Sequence, residues 1–237
     1  MEDCPMVEFR DVTKLYSPTA VALDCINFKI EDGEMVFIVG ESGAGKSTLA
    51  RLLLRQEKPT SGSIFVDGVD ISMLPAKKIP EYRRKLGIVF QDFMLFGDKT
   101  AYDNVAFAMR AVGTPLSEIK KRVPALLSLV NMSELADRYQ SEMSGGESQR
   151  IALARAIANN PEIVIADEPT GNVDPNMSME IMNLLIKINK LGKTVIVVTH
   201  DWSLVERFGM RVIGLQHGRL IDEGVSALSD RSEQLLK

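Results

Sequence analysis

Two short stretches of this chain carry residue types suited to holding an anion. The first, Gly40-Glu41-Ser42-Gly43-Ala44-Gly45-Lys46-Ser47-Thr48, fits the spacing GxxxxGK[ST]. Its glycines let successive backbone N–H groups wrap a polyphosphate, the following helix turns its N-terminus on the same charge, and Lys46 adds a cation. The Ser47 hydroxyl is placed for Mg²⁺. A glycine turn followed by a surface lysine is the plain alternative. The second stretch, Ser144-Gly145-Gly146-Glu147, reads first as a capping box, with Ser144 at the helix cap and Glu147 reaching back. That leaves two glycines where a helix former is more favourable by about 0.5–1 kcal/mol each. Bare N–H groups there make a second anion site, with Ser144 as a further donor.

Such residues need elements to aim them. The apolar runs "MVFIV", "LGIVF", "EIVIA" and "TVIVVT" suit strands buried on both faces of a mainly parallel sheet, where ligands gather at the carboxyl ends. Each run ends in polar chemistry: Gly40 and the glycine loop, Gln91, Asp167-Glu168, and His200-Asp201. Asp167 is placed to bind Mg²⁺ directly or through water. Glu168, one residue on, is the candidate base for the water that attacks a γ-phosphate. Gln91 could ligate the metal or that water, and His200 could donate to the γ-phosphate. Taken singly, an acidic pair at a strand end is usually a solvated turn, and a lone histidine a satisfied loop residue. Tyr16, just before Ser17-Pro18, is a candidate to stack on adenine or an ordinary half-buried tyrosine.

The 237 residues suffice for one large α/β domain, and 45% hydrophobic with 25% charged residues is an ordinary globular composition. A net charge of -4 gives no basic field, so nucleic acid is not an expected partner. The basic clusters Lys77-Lys78, Arg83 to Lys85 and Lys120 to Arg122 read as solvated helix faces. Cys4 and Cys25 form no CxxC pair; with no signal peptide evident they read as reduced thiols of a cytosolic chain. No apolar run approaches the roughly 20 residues of a membrane span.

The first thirty residues alternate as antiparallel strands turning at Ser17-Pro18 and Asp32-Gly33. The span from Phe93 to Tyr139 reads as mostly helical, with Thr100 and Asp103 as a capping box and Gly113 as a stop. A further helix is expected from about Ser117, kinked or ended at Pro124. Ser226 to Lys237 is a candidate loose final helix.

In order along the chain, "GESGAGKST", Gln91, "MSGGE", "IVIADEP", "GNVD" and His200 resemble the phosphate loop, Q-loop, signature, Walker B, D-loop and H-loop of the ATP-binding cassette (ABC) ATPases. The likeness spans nearly the whole chain. Met143 stands where leucine is usual and Glu147 where glutamine is common; there the anion is met by backbone and Ser144. The resemblance implies a single ABC domain over residues 1–237, a phosphate-loop α/β fold with an N-terminal antiparallel β subdomain and a helical subdomain inserted at 93–150. It implies ATP and Mg²⁺ as cofactors, with Ser47, Gln91 and Asp167 on the metal. It implies a homodimer formed on ATP, in which Ser144, Gly145, Gly146 and Glu147 of one copy close over ATP held by the other. It also implies an integral membrane partner docking near Gln91 to Phe96, and a cytoplasmic chain peripheral to the inner face of the membrane. Phe93, Met94, Leu95 and Phe96 are candidates for the docking groove or for buried core.

"EPTGNVD", "FQDF", "TAYDNVAFAM" and "SGGESQR" are similar to the cell-division branch of the family, and nearly as close to the lipoprotein-release and macrolide-export branches. A phosphotransferase would leave "SGGE" and His200 without roles. Soluble translation or repair members usually carry paired cassettes or a long coiled coil.

Overall fold

The computed structural model describes residues 4–171 and 173–225, with side chains in the last strand described as far as Ile221. The proposed terminal helix and Asn172 of "GNVD" lie outside the described residues. The strands are β1 (Val7–Ser17), β2 (Ala20–Ile30), β3 (Met35–Val39), β4 (Ser61–Val66), β5 (Val69–Asp70), β6 (Leu86–Val89), β7 (Ile163–Asp167), β8 (Thr194–Thr199), β9 (Arg211–Gln216) and β10 (Arg219–Val225). The helices are α1 (Lys46–Leu53), α2 (Ile79–Arg83), α3 (Ala101–Ala111), α4 (Leu116–Leu129), α5 (Gly145–Ala156), α6 (Pro175–Lys190) and α7 (Trp202–Phe208). The chain divides into two compact units, one built from residues up to Ile79 and from Ile196 onward, the other Pro80–Val195.

In the first unit β1 pairs antiparallel with β2 and with β4, giving a sheet of order β2-β1-β4-β5. Alternation from Ile26 puts Ile26, Phe28 and Ile30 of β2 inside, a register irregularity around Cys25 buries Leu23 as well, and Phe28 stacks on Phe9 of β1 with ring centroids 4.5 Å apart. β3 is buried along its whole length and runs parallel to β9, which pairs antiparallel with β10. An unbroken apolar run is what a strand covered on both faces requires.

In the second unit β6 and β7 are parallel neighbours, with Val89 opposite Ala166. Three helices fill the span between them. α3 buries Ala101, Val105 and Met109, and α4 buries Ile119, Val123 and Leu127, each at i, i+4, i+8 spacing. α5 hides residues on all sides, including Gln149 and Ser148. Truncating a residue such as Met109 to alanine costs about 2–5 kcal/mol.

The capping box at Thr100 and the helix end at Pro124 need correction. Thr100 caps α3 by accepting from the Asp103 N–H, but the Asp103 carboxylate meets the Thr100 hydroxyl at 3.3 Å and closes no reciprocal bond to backbone. Aspartate is one methylene shorter than the glutamate such a box calls for. Pro124 does not end α4, which continues to Leu129. Pro124 and Lys120, whose carbonyl loses its partner, are both exposed, so water serves the orphaned oxygen while Val123 and Leu127 hold the helix down. Gly113, at φ 84°, stops α3 as expected.

Candidate functional site

The first unit holds the glycine loop, Tyr16 and His200. Gly40 follows β3 so closely under the Leu215 carbonyl that any side chain would collide with it. Gly45 caps α1 at φ 109°, and a Cβ there would lie 2.5 Å from the Ala22 carbonyl. No side chain caps α1, and a helix N-terminus turns its first-turn N–H groups toward an anion. Lys46 is buried, its Nζ donating to the Gly40 and Glu41 carbonyls at 2.6 and 3.1 Å, which folds the ammonium back over the loop. Glu41, Ser42, Gly43 and Ser47 are exposed, whereas Ala44 and Thr48 are buried. A glycine-lined loop with a folded-back ammonium fits a nucleoside triphosphate.

Tyr16 is 51% exposed, and the Lys14 ammonium lies over its ring at 5.2 Å from the centroid. Its hydroxyl donates to Glu57 at 2.8 Å and lies 3.4 Å from that of Thr48 on α1. Burial pushes the Glu57 carboxyl up, but the bonds from Tyr16 and Lys14 outweigh it and hold the group below the ordinary carboxylate range. His200 is exposed after β8, just before Asp201, which caps α7 through bonds from the Ser203 and Leu204 N–H groups.

The second unit holds Gln91, the acidic pair and the signature. Gln91 and Glu168 stand two residues beyond the paired Val89 and Ala166. A Cβ added at Gly171 would lie 3.2 Å from Gln91 Nε2 and 3.5 Å from the Glu168 carbonyl, so Gln91 borders the turn that carries Glu168. Asp167 ends β7; Glu168 takes φ 47°, and the two half-buried carboxylates therefore leave the strand in different directions. That conformation costs on the order of 1–3 kcal/mol for a residue with a side chain, and such costs concentrate at working sites.

Ser144 caps α5 as part of a full capping box. Glu147 accepts from the Ser144 N–H at 2.7 Å and the Ser144 hydroxyl at 2.9 Å, and these bonds hold its carboxyl below the ordinary range. Gly146 also has a packing reason: a Cβ would meet the Met177 side chain of α6 at 2.5 Å. As first-turn amides, the N–H groups of Gly145 and Gly146 have no acceptor within the helix.

After Gln91 the chain is not core. Phe93 and Met94 both take positive φ, 57° and 48°, Met94 is 58% exposed and Phe96 38%. Phe96 packs on Phe107 of α3 with centroids 4.6 Å apart. Together with Pro80, Phe90, Val112 and Arg155 they border a groove of about 400 Å³. Two residues absent from the sequence reading hold this segment. Arg155, half-buried, with desolvation lowering its guanidinium below its ordinary pKa, donates to the Met94 and Phe93 carbonyls at 2.6 and 2.8 Å. Asn104, fully buried, accepts from the Phe96 N–H at 2.8 Å and donates to three nearby carbonyls. The signal for Arg155 was a lone cation inside the apolar run "IALARA".

Ser47, Gln91 and Asp167 each carry a side-chain oxygen of the kind Mg²⁺ takes as a ligand. Among the described residues no cluster of three His, Cys, Asp or Glu side chains could hold a metal unaided. No described helix is long and apolar enough to cross a membrane.

A glycine loop opening α1 after a buried strand, with an acidic pair ending a second one, defines a phosphate-loop nucleoside triphosphatase. The chain belongs to the ABC transporter family, whose model matches residues 23–171. It is 48% identical to the cell division ATP-binding protein FtsE of Mycobacterium tuberculosis over 217 residues, 91% of this chain and 94% of that protein. It is 41% identical to the methionine import ATP-binding protein MetN 1 of Shouchella clausii over 223 residues, 92% of this chain and 64% of that protein. Among solved structures, the dimeric post-hydrolysis state of the ATP-binding cassette MJ0796 bound to ADP and Pi matches with a TM-score of 0.84 at 38% identity, covering 93% of this chain and 98% of that one. The chain is thus an ABC-type ATPase and an FtsE-like ATP-binding subunit.

Proposed function

We propose that two copies pair on ATP and act on an integral membrane partner resembling FtsX, so that the nucleotide cycle regulates cell-wall hydrolysis during division. The observation that carries the pairing is the second anion site: α5 presents the Gly145 and Gly146 N–H groups beside Ser144 on a chain whose phosphate loop is already complete. Those donors serve the triphosphate gripped by the other copy. The division role is supported by the likeness to FtsE along nearly that protein's whole length.

Gly40 to Thr48 grip the phosphates, and Tyr16 stacks on adenine. Ser47, Asp167 and Gln91 are the magnesium donors. Bound magnesium supplies charge neutralisation at the phosphate oxygens. Glu168 orients the attacking water and takes its proton, and His200 donates to the γ-phosphate. Gln91 passes the state of the site to the inserted helical subdomain, 93–150 of a single cassette domain, where the Phe93 to Phe96 segment receives a cytoplasmic helix of the partner. The chain then works as a cytoplasmic protein, peripheral on the inner face of the membrane.

Glu168→Gln is expected to bind ATP and hydrolyse it about 10²- to 10⁴-fold more slowly, read by steady-state phosphate release; near-normal turnover removes the base from Glu168. In that slow background Ser144→Arg is expected to abolish ATP-dependent dimers in light scattering while a single chain still binds ATP. The likeness to MetN supports a second reading, a transporter cassette, as do the motifs shared with lipoprotein-release and macrolide-export branches. Isolation from membranes with an FtsX-like protein, and filaments or cell chains on depletion, support division. Accumulated lipoprotein, drug sensitivity or loss of methionine uptake supports transport.

A further inference from the structure

The signature helix and the turn that carries Glu168 meet at one buried amide. Gln149, on the second turn of α5, is 1% exposed and its Nε2 donates to the Pro169 carbonyl at 2.8 Å. A carbonyl only accepts, so the nitrogen must face it. Gln149 Oε1 is buried and has no hydrogen-bond partner among the described residues. The side chain is therefore kept inside with one oxygen unserved, an uncommon arrangement that calls for a reason.

The reason lies in the turn. Glu168 sits at φ 47°, and the proline after it supplies no N–H and restricts the residue before it. The Glu168 carbonyl accepts from the Gly171 N–H at 3.1 Å, inside the turn, and the Pro169 carbonyl accepts from Gln149, outside it. Neighbours on α5 fix the donor in turn. Arg150 pairs with Glu180 of α6 and approaches Met177 Sδ at 3.4 Å, while Gly146 lies against the same methionine.

We propose that Gln149 is a positioning residue for hydrolysis, holding the Pro169 carbonyl so that the seating of the signature helix sets the direction of the Glu168 carboxylate. This rests on Glu168 as the base. Ser144 and Gln149 belong to one helix, so a ligand drawn onto the N-terminus of α5 is felt at the base through this bond.

The test compares Gln149→Leu, which removes the donor, with Gln149→Glu, which sets a carboxylate against the carbonyl. Both are made alone and with Glu168→Gln, and ATP hydrolysis, ATP-dependent dimerisation and thermal melting are measured below the melting temperature of each variant. The expected result is a kcat lowered between roughly tenfold and a hundredfold, with KM for ATP within about twofold and dimers retained. In the Glu168→Gln background the same substitutions are expected to change nothing further. An unchanged kcat, or an equal fold loss in both backgrounds, overturns the clamp. Near-normal turnover of Glu168→Gln by itself overturns the base assignment first, and the role of Gln149 with it.

Discussion

The phosphate loop and the signature both place backbone N–H groups at a helix N-terminus, but they treat those groups differently. At α1 the cap is a left-handed glycine with no side-chain cap, and a buried lysine folds back over the loop. At α5 the cap is a serine, Glu147 closes a reciprocal box, and the adjoining first-turn donors belong to Gly145 and Gly146. A loop that wraps its anion needs strained glycines and a cation of its own. A helix end that meets an anion held elsewhere needs only to be rigid and bare, and the box supplies the rigidity. On the pairing proposed above, the first governs whether one chain holds ATP, the second whether two chains share it.

Lys46→Ala separates these roles most strongly: binding of ATP to the single chain, read by isothermal titration, is expected to weaken by roughly 10- to 100-fold, the loss of a charge-assisted bond. Ser144→Ala is expected to leave that binding within about twofold. Comparable weakening by both would erase the distinction. Next comes Gly146→Ala, which overpacks Met177 and is expected to cost about 1–3 kcal/mol in denaturant unfolding, with recovery in the Gly146→Ala, Met177→Ala pair. No recovery would mean that the glycine is there for the anion alone.

The smallest effect is the pH dependence of the box. The Glu147 carboxyl has a folded-state pKa below its ordinary value near 4.5, because the Ser144 N–H and hydroxyl favour the charged form. A depressed pKa adds stability that is complete above the ordinary value and is lost as pH falls through the folded one. The melting difference between the parent chain and Glu147→Ala, which loses a first-turn carboxylate worth about 0.3–1 kcal/mol, is therefore expected to be full at pH 7 and to shrink below about pH 4.5. A difference that persists undiminished at pH 3 would remove the charge from the account.

Much of this was legible in the chain. Gly40 to Ser47 announced the loop by spacing, four apolar runs announced buried strands, and Ser144 with Glu147 announced the box, because each signal lies within a few residues. What stayed hidden depends on partners far along the chain. Arg155 reaches carbonyls 61 and 62 residues away, and Gln149 one 20 residues away. Gly146 read either as a tight approach within the cap or as an anion donor, and what it approaches, Met177 on another helix, was not legible. No helix end forms at Pro124, because a proline's cost depends on whether water can reach the carbonyl it orphans, which sequence does not record.

The most direct test of a shared site is mixing. A chain with Lys46→Ala and a chain with Ser144→Arg are each expected to be inactive, but a mixed dimer joins the intact loop of one to the intact signature of the other. Equal mixing is expected to restore about a quarter of the parent hydrolysis rate, since half of random encounters join unlike chains and each such pair has one sound site. No recovery at any ratio would show that each chain completes its own site, contrary to the pairing proposed for Ser144 and the phosphate loop.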